Sequence, residues 1–357
     1  MQRVNSIFMS PPAVLLLAFF LLGALDVSAQ ATSAGPPAQP ATREVVDEMG
    51  RTVRIPISPA RIVSLAPSLT ETIYALGLQD RLVGDTDFCD YPVEAQKKPK
   101  VGGIINPNLE EIASLHPDLV LVTKSINRLD TVRALDTLGI PSYASADPHS
   151  VAEIISSTQK LADVLDASEA GKSLGEELQS RLSVLQAKLA AVPPQRVLFI
   201  VWTEPLISTG QHTFIADVLR KAGAASIVES SQDWPQMNLE EVVRLQPDYL
   251  VFASSHSESA ARDFDALAAR PGWRILGAVR NRRFAVISDA VNRPAPRIVS
   301  AIEELARQLH PEAFQLSPTL DKEPAPANPA PSSPSGAALS SYTHTICTSS
   351  TESSCAH

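Results

Sequence analysis

Signatures of catalysis are the first thing this chain lacks. No Gly-x-Ser-x-Gly elbow, Walker loop or Gly-x-Gly-x-x-Gly turn occurs, so hydrolase, NTPase and dinucleotide-binding chemistry find no anchor. Cysteine is scarce. Cys89 lies in Asp-Phe-Cys-Asp, whose acidic neighbours raise a thiol pKa rather than activate it. Cys347 and Cys355 could pair in an oxidising compartment, but a disulfide there would staple nothing. Neither the cysteines nor the seven histidines stand at metal-ligand spacing, so no catalytic or metal site is expected. Positive charge is in deficit: 30 Lys and Arg against 39 Asp and Glu leave a net charge of −9, which argues against nucleic acid or anionic lipid as a partner. The apolar run Val14–Leu25, with 12 residues, is too short to span a bilayer comfortably. It follows the single charge Arg3 and precedes the small residues Val27-Ser28-Ala29, so residues 1–29 read as an export signal. No cysteine marks the cleavage point, and the mature chain is expected to be soluble rather than lipid-anchored.

Residues 30–42 and 317–357 are rich in Ala, Pro, Ser and Thr and cannot bury enough surface to offset the entropy of ordering. They read as a disordered leader and tail. Between them a fifteen-residue stretch occurs twice. Asn108 to Val122 and Asn238 to Phe252 share the frame Asn-Leu-Glu-Glu, an apolar helical face, Pro-Asp and an apolar strand, at an offset of 130 positions. Asn108 and Asn238 can cap the helices, and Glu111 and Glu241 can reach back to the cap amide. Glu110 and Glu240 are left over. Either they favour the helix dipole, or two equivalent lobes each present an acidic knob to a symmetric, basic partner.

The rest alternates strand with helix. An opening hairpin spans Glu44 to Ile57, and a strand from Arg61 enters a helix capped by Ser68, with Glu71 in the capping-box position and Gly77 ending it. Residues 167–192 form one long helix with a leucine stripe at 174, 178, 182, 185 and 189, closed by Pro193-Pro194. A strand after Arg196 then restarts the series, with a helix near 264–269 and a last helix at 297–309. The expectation is an α/β protein of two Rossmann-like lobes, 43–165 and 194–316, joined by a single helix over 166–193, with a ligand cleft between them. A helical joint predicts small closure motions.

Ligands of α/β folds gather beyond the carboxyl ends of strands. The loops placed there hold Phe88 to Tyr91, Trp202 to Glu204, Asp233-Trp234-Pro235 and Asp289 to Arg293. Trp202 and Trp234 lie in loops, as core plugs or as a ligand platform, whereas Trp273 after Pro271-Gly272 reads as packing. Asp289 and Arg293 either pair with each other or bond polar edges of a ligand.

Over residues 60–314 the chain resembles the class III periplasmic substrate-binding proteins of ABC importers, which serve cobalamin, haem and ferric siderophores. The motifs are Ala-Pro-Ser-Leu-Thr-Glu at 66–71, Asp-Tyr-Pro at 90–92, Asn-Leu-Glu at 108–110, Trp-Pro-Gln at 234–236 and Ser-Asp-Ala-Val-Asn-Arg-Pro-Ala-Pro-Arg at 288–297. Within that family the cobalamin binders are most similar. The resemblance implies a monomeric periplasmic receptor without catalysis or cofactor. It implies docking of Glu110 and Glu240 on the paired subunits of an inner-membrane ABC permease. It also implies ligand contacts from Phe88, Trp202, Trp234, Asp289 and Arg293. Two tryptophan positions of the cobalamin binders are Ile104 and Thr123 here, and no Tyr or His stands out as a haem ligand.

Overall fold

Two parallel sheets wound in the same order carry the architecture, as the duplicated stretch requires. The computed structural model describes residues 41–253 and 257–315, and those through Ala313 pack as one compact unit. The expected signal, the leader up to residue 40, and the tail with Cys347 and Cys355 lie outside the described residues.

The chain opens with the expected antiparallel hairpin, β1 (Thr42–Val46) and β2 (Thr52–Pro56). The first lobe then places β3 (Ile62–Ser64), β4 (Leu82–Asp85), β5 (Leu119–Thr123) and β6 (Ser142–Ser145) in the order β4-β3-β5-β6, all parallel. Its helices are α1 (Pro67–Ala75), α2 (Leu109–Ser114), α3 (Leu129–Thr137) and α4 (Val151–Val164). After α5 (Ser168–Leu189) the second lobe repeats the scheme. Strands β7 (Gln195–Ile200), β10 (Ala224–Ser226), β11 (Tyr249–Ala253) and β12 (Phe284–Ile287) lie in the order β10-β7-β11-β12. In both sheets the lobe's second strand is outermost, then the first, third and fourth. A two-residue pair, β8 (Trp202–Thr203) and β9 (Leu206–Ile207), forms a small hairpin beyond β7. The helices here are α6 (Phe214–Lys221), α7 (Leu239–Leu245), α8 (Ser257–Ala268), α9 (Gly277–Arg280) and α10 (Ile298–Leu309). The sequence pattern missed β10, three small residues without a β-branched side chain, and found only the end of α8.

The repeat works as one supersecondary unit. The Asn108 side-chain oxygen accepts from the amides of Glu110 at 3.0 Å and Glu111 at 3.2 Å, and that of Asn238 from Glu241 at 2.7 Å. Ile112 and Val242, at the same position, are fully buried. His116 and Gln246 take left-handed backbone angles, φ 46° and 44°, which stops each helix one residue before its proline. The arginines in front of β3 and β7 have a role that sequence alone did not give. Arg61 Nη2 donates to the Leu115 carbonyl at 2.6 Å, and Arg196 Nη1 to the Gln246 carbonyl at 3.3 Å, so each closes the end of its repeat helix. In return the Asp118 carboxylate accepts from the amides of Ala60 and Arg61 at 2.8 and 3.0 Å, and Asp248 from that of Arg196 at 3.0 Å. One expectation fails: the Asn108 amide donates to the Val101 carbonyl at 2.8 Å and is not available to Glu111.

The chain passes from one sheet to the other once, through α4 and α5. On α5, Leu178, Leu185 and Leu189 are buried, while Leu174 and Leu182 are half-buried. Gly171 completes the face, since a Cβ there would lie 2.4 Å from the Ala162 Cβ on α4. On the other side Arg181 donates to Ser300 Oγ at 2.8 Å and pairs with Glu303 at 3.0 Å, both on α10. Helix α5 is thus packed against elements of both lobes.

Candidate functional site

The carboxyl ends of both sheets supply one set of loops to a cleft. From the first lobe come Ser68 after β3, Thr123 and Ile126 at the end of β5, and Ser145 to His149 after β6; from the second come Thr213, Trp234 and Val291 to Pro294. His149 of the first lobe and Thr213, Phe214, Trp234, Asn292 and Pro294 of the second bound a cavity of about 330 Å³. A smaller recess of about 30 Å³, rich in hydroxyls, continues past Pro294 to Ser68, Thr123 and Ser145.

The three expected aromatic contacts are all turned to solvent: Phe88 is 56% exposed, Trp202 62% and Trp234 54%. Trp202 and Trp234 share a scaffold. Trp202 stands on β8 rather than in an open loop, and β9 carries on into the Trp234 segment through Ser208 to Pro235 at 3.1 Å and Met237 to Leu206 at 2.9 Å. Phe88 belongs to the opposite lobe, two positions before Asp90, which meets Arg293 across the cleft. Of the three, Trp234 lines the cavity. Trp273, 5% exposed, is a core residue as expected.

Asp289 and Arg293 are engaged with more than each other; between themselves the separation is 3.9 Å. Arg293 pairs with Asp90 and, at 3.4 Å, with Glu71, both in the first lobe. Arg297 adds Glu71 at 2.6 Å and Asp289 at 3.2 Å, and its guanidinium lies 4.3 Å from the Tyr91 ring. Three carboxylates therefore match two arginines at the lobe junction. Glu71, expected as half of a capping box, belongs here instead. Helix α1 begins at Pro67 with no side-chain cap, and Glu71 is buried. Desolvation raises the Glu71 pKa against the pull of Arg297 and Arg293. The Arg293 hydrogen bond lowers that of Asp90.

The wall at Ile104 and Thr123 is a closed polar cluster. The Asn127 side-chain oxygen accepts from the Thr123 amide at 2.7 Å, and its amide donates to the carbonyls of Leu65 at 3.1 Å and Ile104 at 2.8 Å. Cys89 is buried beneath the Phe88 turn, bonded to Thr70 and Thr86, and burial pushes its thiol pKa up. No cluster of His, Cys, Asp and Glu able to hold a metal ion occurs among the described residues. Sequence reading missed His149, which the fold brings to the cleft and which stood in no recognisable spacing, whereas Tyr91, on a loop the sequence did place there, packs against Arg297.

Glu110 and Glu240 sit at matching places in the first turns of α2 and α7, exposed and without an ion pair among the described residues. Glu241, by contrast, lies 3.9 Å from Arg244.

The model of the periplasmic binding protein family matches residues 62–291. The uncharacterized ABC transporter substrate-binding lipoprotein YvrC of Bacillus subtilis is 33% identical over 276 residues, covering 75% of this chain and 86% of that one. A vitamin B12-binding protein of Yersinia pestis is 31% identical over 250 residues, 70% of this chain and 86% of its own. The structure of a periplasmic heme-binding protein from Pseudomonas aeruginosa superposes with a TM-score of 0.65 at 25% identity, covering 72% of this chain and 95% of that one. With its two like-wound parallel sheets and a cleft at their carboxyl ends, the chain belongs to the periplasmic binding protein family of ABC importers.

Proposed function

We propose that this receptor captures a corrinoid, cobalamin in the first instance, between its lobes in the periplasm and hands it unaltered to an inner-membrane ABC permease through Glu110 and Glu240. The observation that carries the ligand class is the pairing of exposed Phe88, Trp202 and Trp234 with arginines whose charge is already matched by Glu71, Asp90 and Asp289. A flat macrocycle with neutral amide arms needs aromatic faces and polar edges rather than free cations. In this reading Phe88, Trp202 and Trp234 form the platform. Asp289 and Arg293 hold the loop that presents Asn292 and Pro294, and the hydroxyls of Ser68, Thr123 and Ser145 receive polar edges. The vitamin B12-binding relative from Yersinia supports the choice. An anionic ferric siderophore would find no uncommitted arginine among these.

A haem reading rests on one residue, His149, whose imidazole lines the cavity and is able to ligate iron. Haemin binding that gives a His149-dependent visible spectrum would favour it.

The ligand reading is tested by tryptophan fluorescence during titration with cyanocobalamin. Saturable quenching that survives Trp273→Phe and is lost in Trp202→Phe/Trp234→Phe is expected. Absence of saturable quenching in the wild-type protein would overturn the corrinoid assignment. Ligand recovered chemically altered would contradict a receptor without catalysis.

A further inference from the structure

The repeat makes the outer faces of α2 and α7 equivalent, yet they are finished differently. On α7 the protein supplies its own cover. Gly272, at φ +85°, lets the chain come so near that a Cβ there would lie 2.6 Å from Leu239 Cδ2. The turn Trp273–Ile275 follows, and Trp273 joins the core cluster against which Leu239 and Val243 pack. On α2 the matching ground is open. A groove of about 490 Å³ runs between α2 and α3, walled by Leu109, Ala113, Ala134 and Leu138, with Glu110 and Thr137 on its rim. Ala113 stands where α7 has Val243, and Leu138 is 52% exposed.

We propose that this groove seats a bulky apolar side chain of the permease, carried on the same segment as the cation that meets Glu110. What Trp273 does for α7 from within the chain, the partner does for α2. The inference rests on the docking reading of Glu110 given above. Charge complementarity fixes the occupant: a cation drawn to the unpaired Glu110 carboxylate brings its sequence neighbours to the groove's edge. Such an exposed ion pair alone contributes little in water, whereas an apolar anchor filling a pocket beside it dominates many interfaces. The two docking faces are thus unequal, and the first lobe carries more of the docking affinity than the second.

The test uses the full chain in its own host with the photo-crosslinking residue p-benzoylphenylalanine placed at position 111, beside Glu110, or at position 138. Both are expected to give an adduct with the same permease subunit, the second mapping to an apolar side chain adjacent to an Arg or Lys. Ala113→Trp, which fills the groove, and Leu138→Glu, which charges its wall, should each lower the position-111 adduct about tenfold, while Val184→Ser, at an exposed position of α5 outside the groove, leaves it unchanged. Thermal melting and gel filtration confirm that each variant is folded. An adduct from 111 but none from 138, or full crosslinking in both folded groove variants, overturns the groove and leaves the Glu110 reading standing. No permease adduct from either position removes both.

Discussion

Asn127 is the residue on which the first-lobe wall of the cleft turns. Its amide group satisfies the Thr123 amide and the carbonyls of Leu65 and Ile104, all at the ends of different segments. Asn127→Ala leaves buried polar groups unpaired and is expected to cost about 2–3 kcal/mol in urea unfolding; a loss below about 0.5 kcal/mol would mean the cluster is not structural. The Asp90–Arg293 pair gives a pH signature. Arg293 lowers the Asp90 pKa, so the stabilisation is present above the ordinary carboxylate value and is lost as pH falls through the depressed one. Asp90→Asn should therefore destabilise the protein more at pH near 6 than at pH near 3, the penalty shrinking as pH falls below the ordinary carboxylate value. Half-exposure of Asp90 keeps the difference small. Equal penalties at both pH values would assign the effect to something other than charge. At this scale the sequence is least legible. Glu71 read as a local cap because its spacing fitted one, while its true partner Arg297 stands 226 positions away on the other lobe.

Elements were read more faithfully, because their signals are local. Asn108 and Asn238 cap, Gly77 and Gly223 end helices at positive φ, and the repeat places its strands in matching register. Lost were β10, too short and too poor in β-branched residues to register, and the arginine–carbonyl closure at Leu115 and Gln246, which needs the folded loop. The duplicated aspartates make a graded prediction. Asp118 accepts two strand amides and Asp248 one, so Asp118→Ala should cost about 3 kcal/mol and Asp248→Ala about 1.5 in chemical denaturation. The reverse order would mean that the two copies do not share a staple.

At the scale of the whole molecule the proposed function separates two tasks. It assigns capture to the carboxyl ends of the sheets and delivery to the first turns of α2 and α7, so Glu110→Lys/Glu240→Lys should leave ligand affinity unchanged and abolish uptake. Weakened binding in that double variant would contradict the division. The fold was legible in outline from strand–helix alternation and the repeat. The cleft was legible as a set of loops. What the sequence could not give was the state of each side chain within it: three aromatics exposed, and both arginines held by carboxylates from across the junction.

The central claim, that the cleft is built for a neutral-edged macrocycle, is tested most directly by calorimetric titration with cyanocobalamin, haemin and a ferric siderophore side by side. One-to-one, sub-micromolar binding of cyanocobalamin, with the other two weaker by at least about tenfold, or about 1.4 kcal/mol, is the result expected. Tight binding of haemin or the siderophore with none of cyanocobalamin would contradict it.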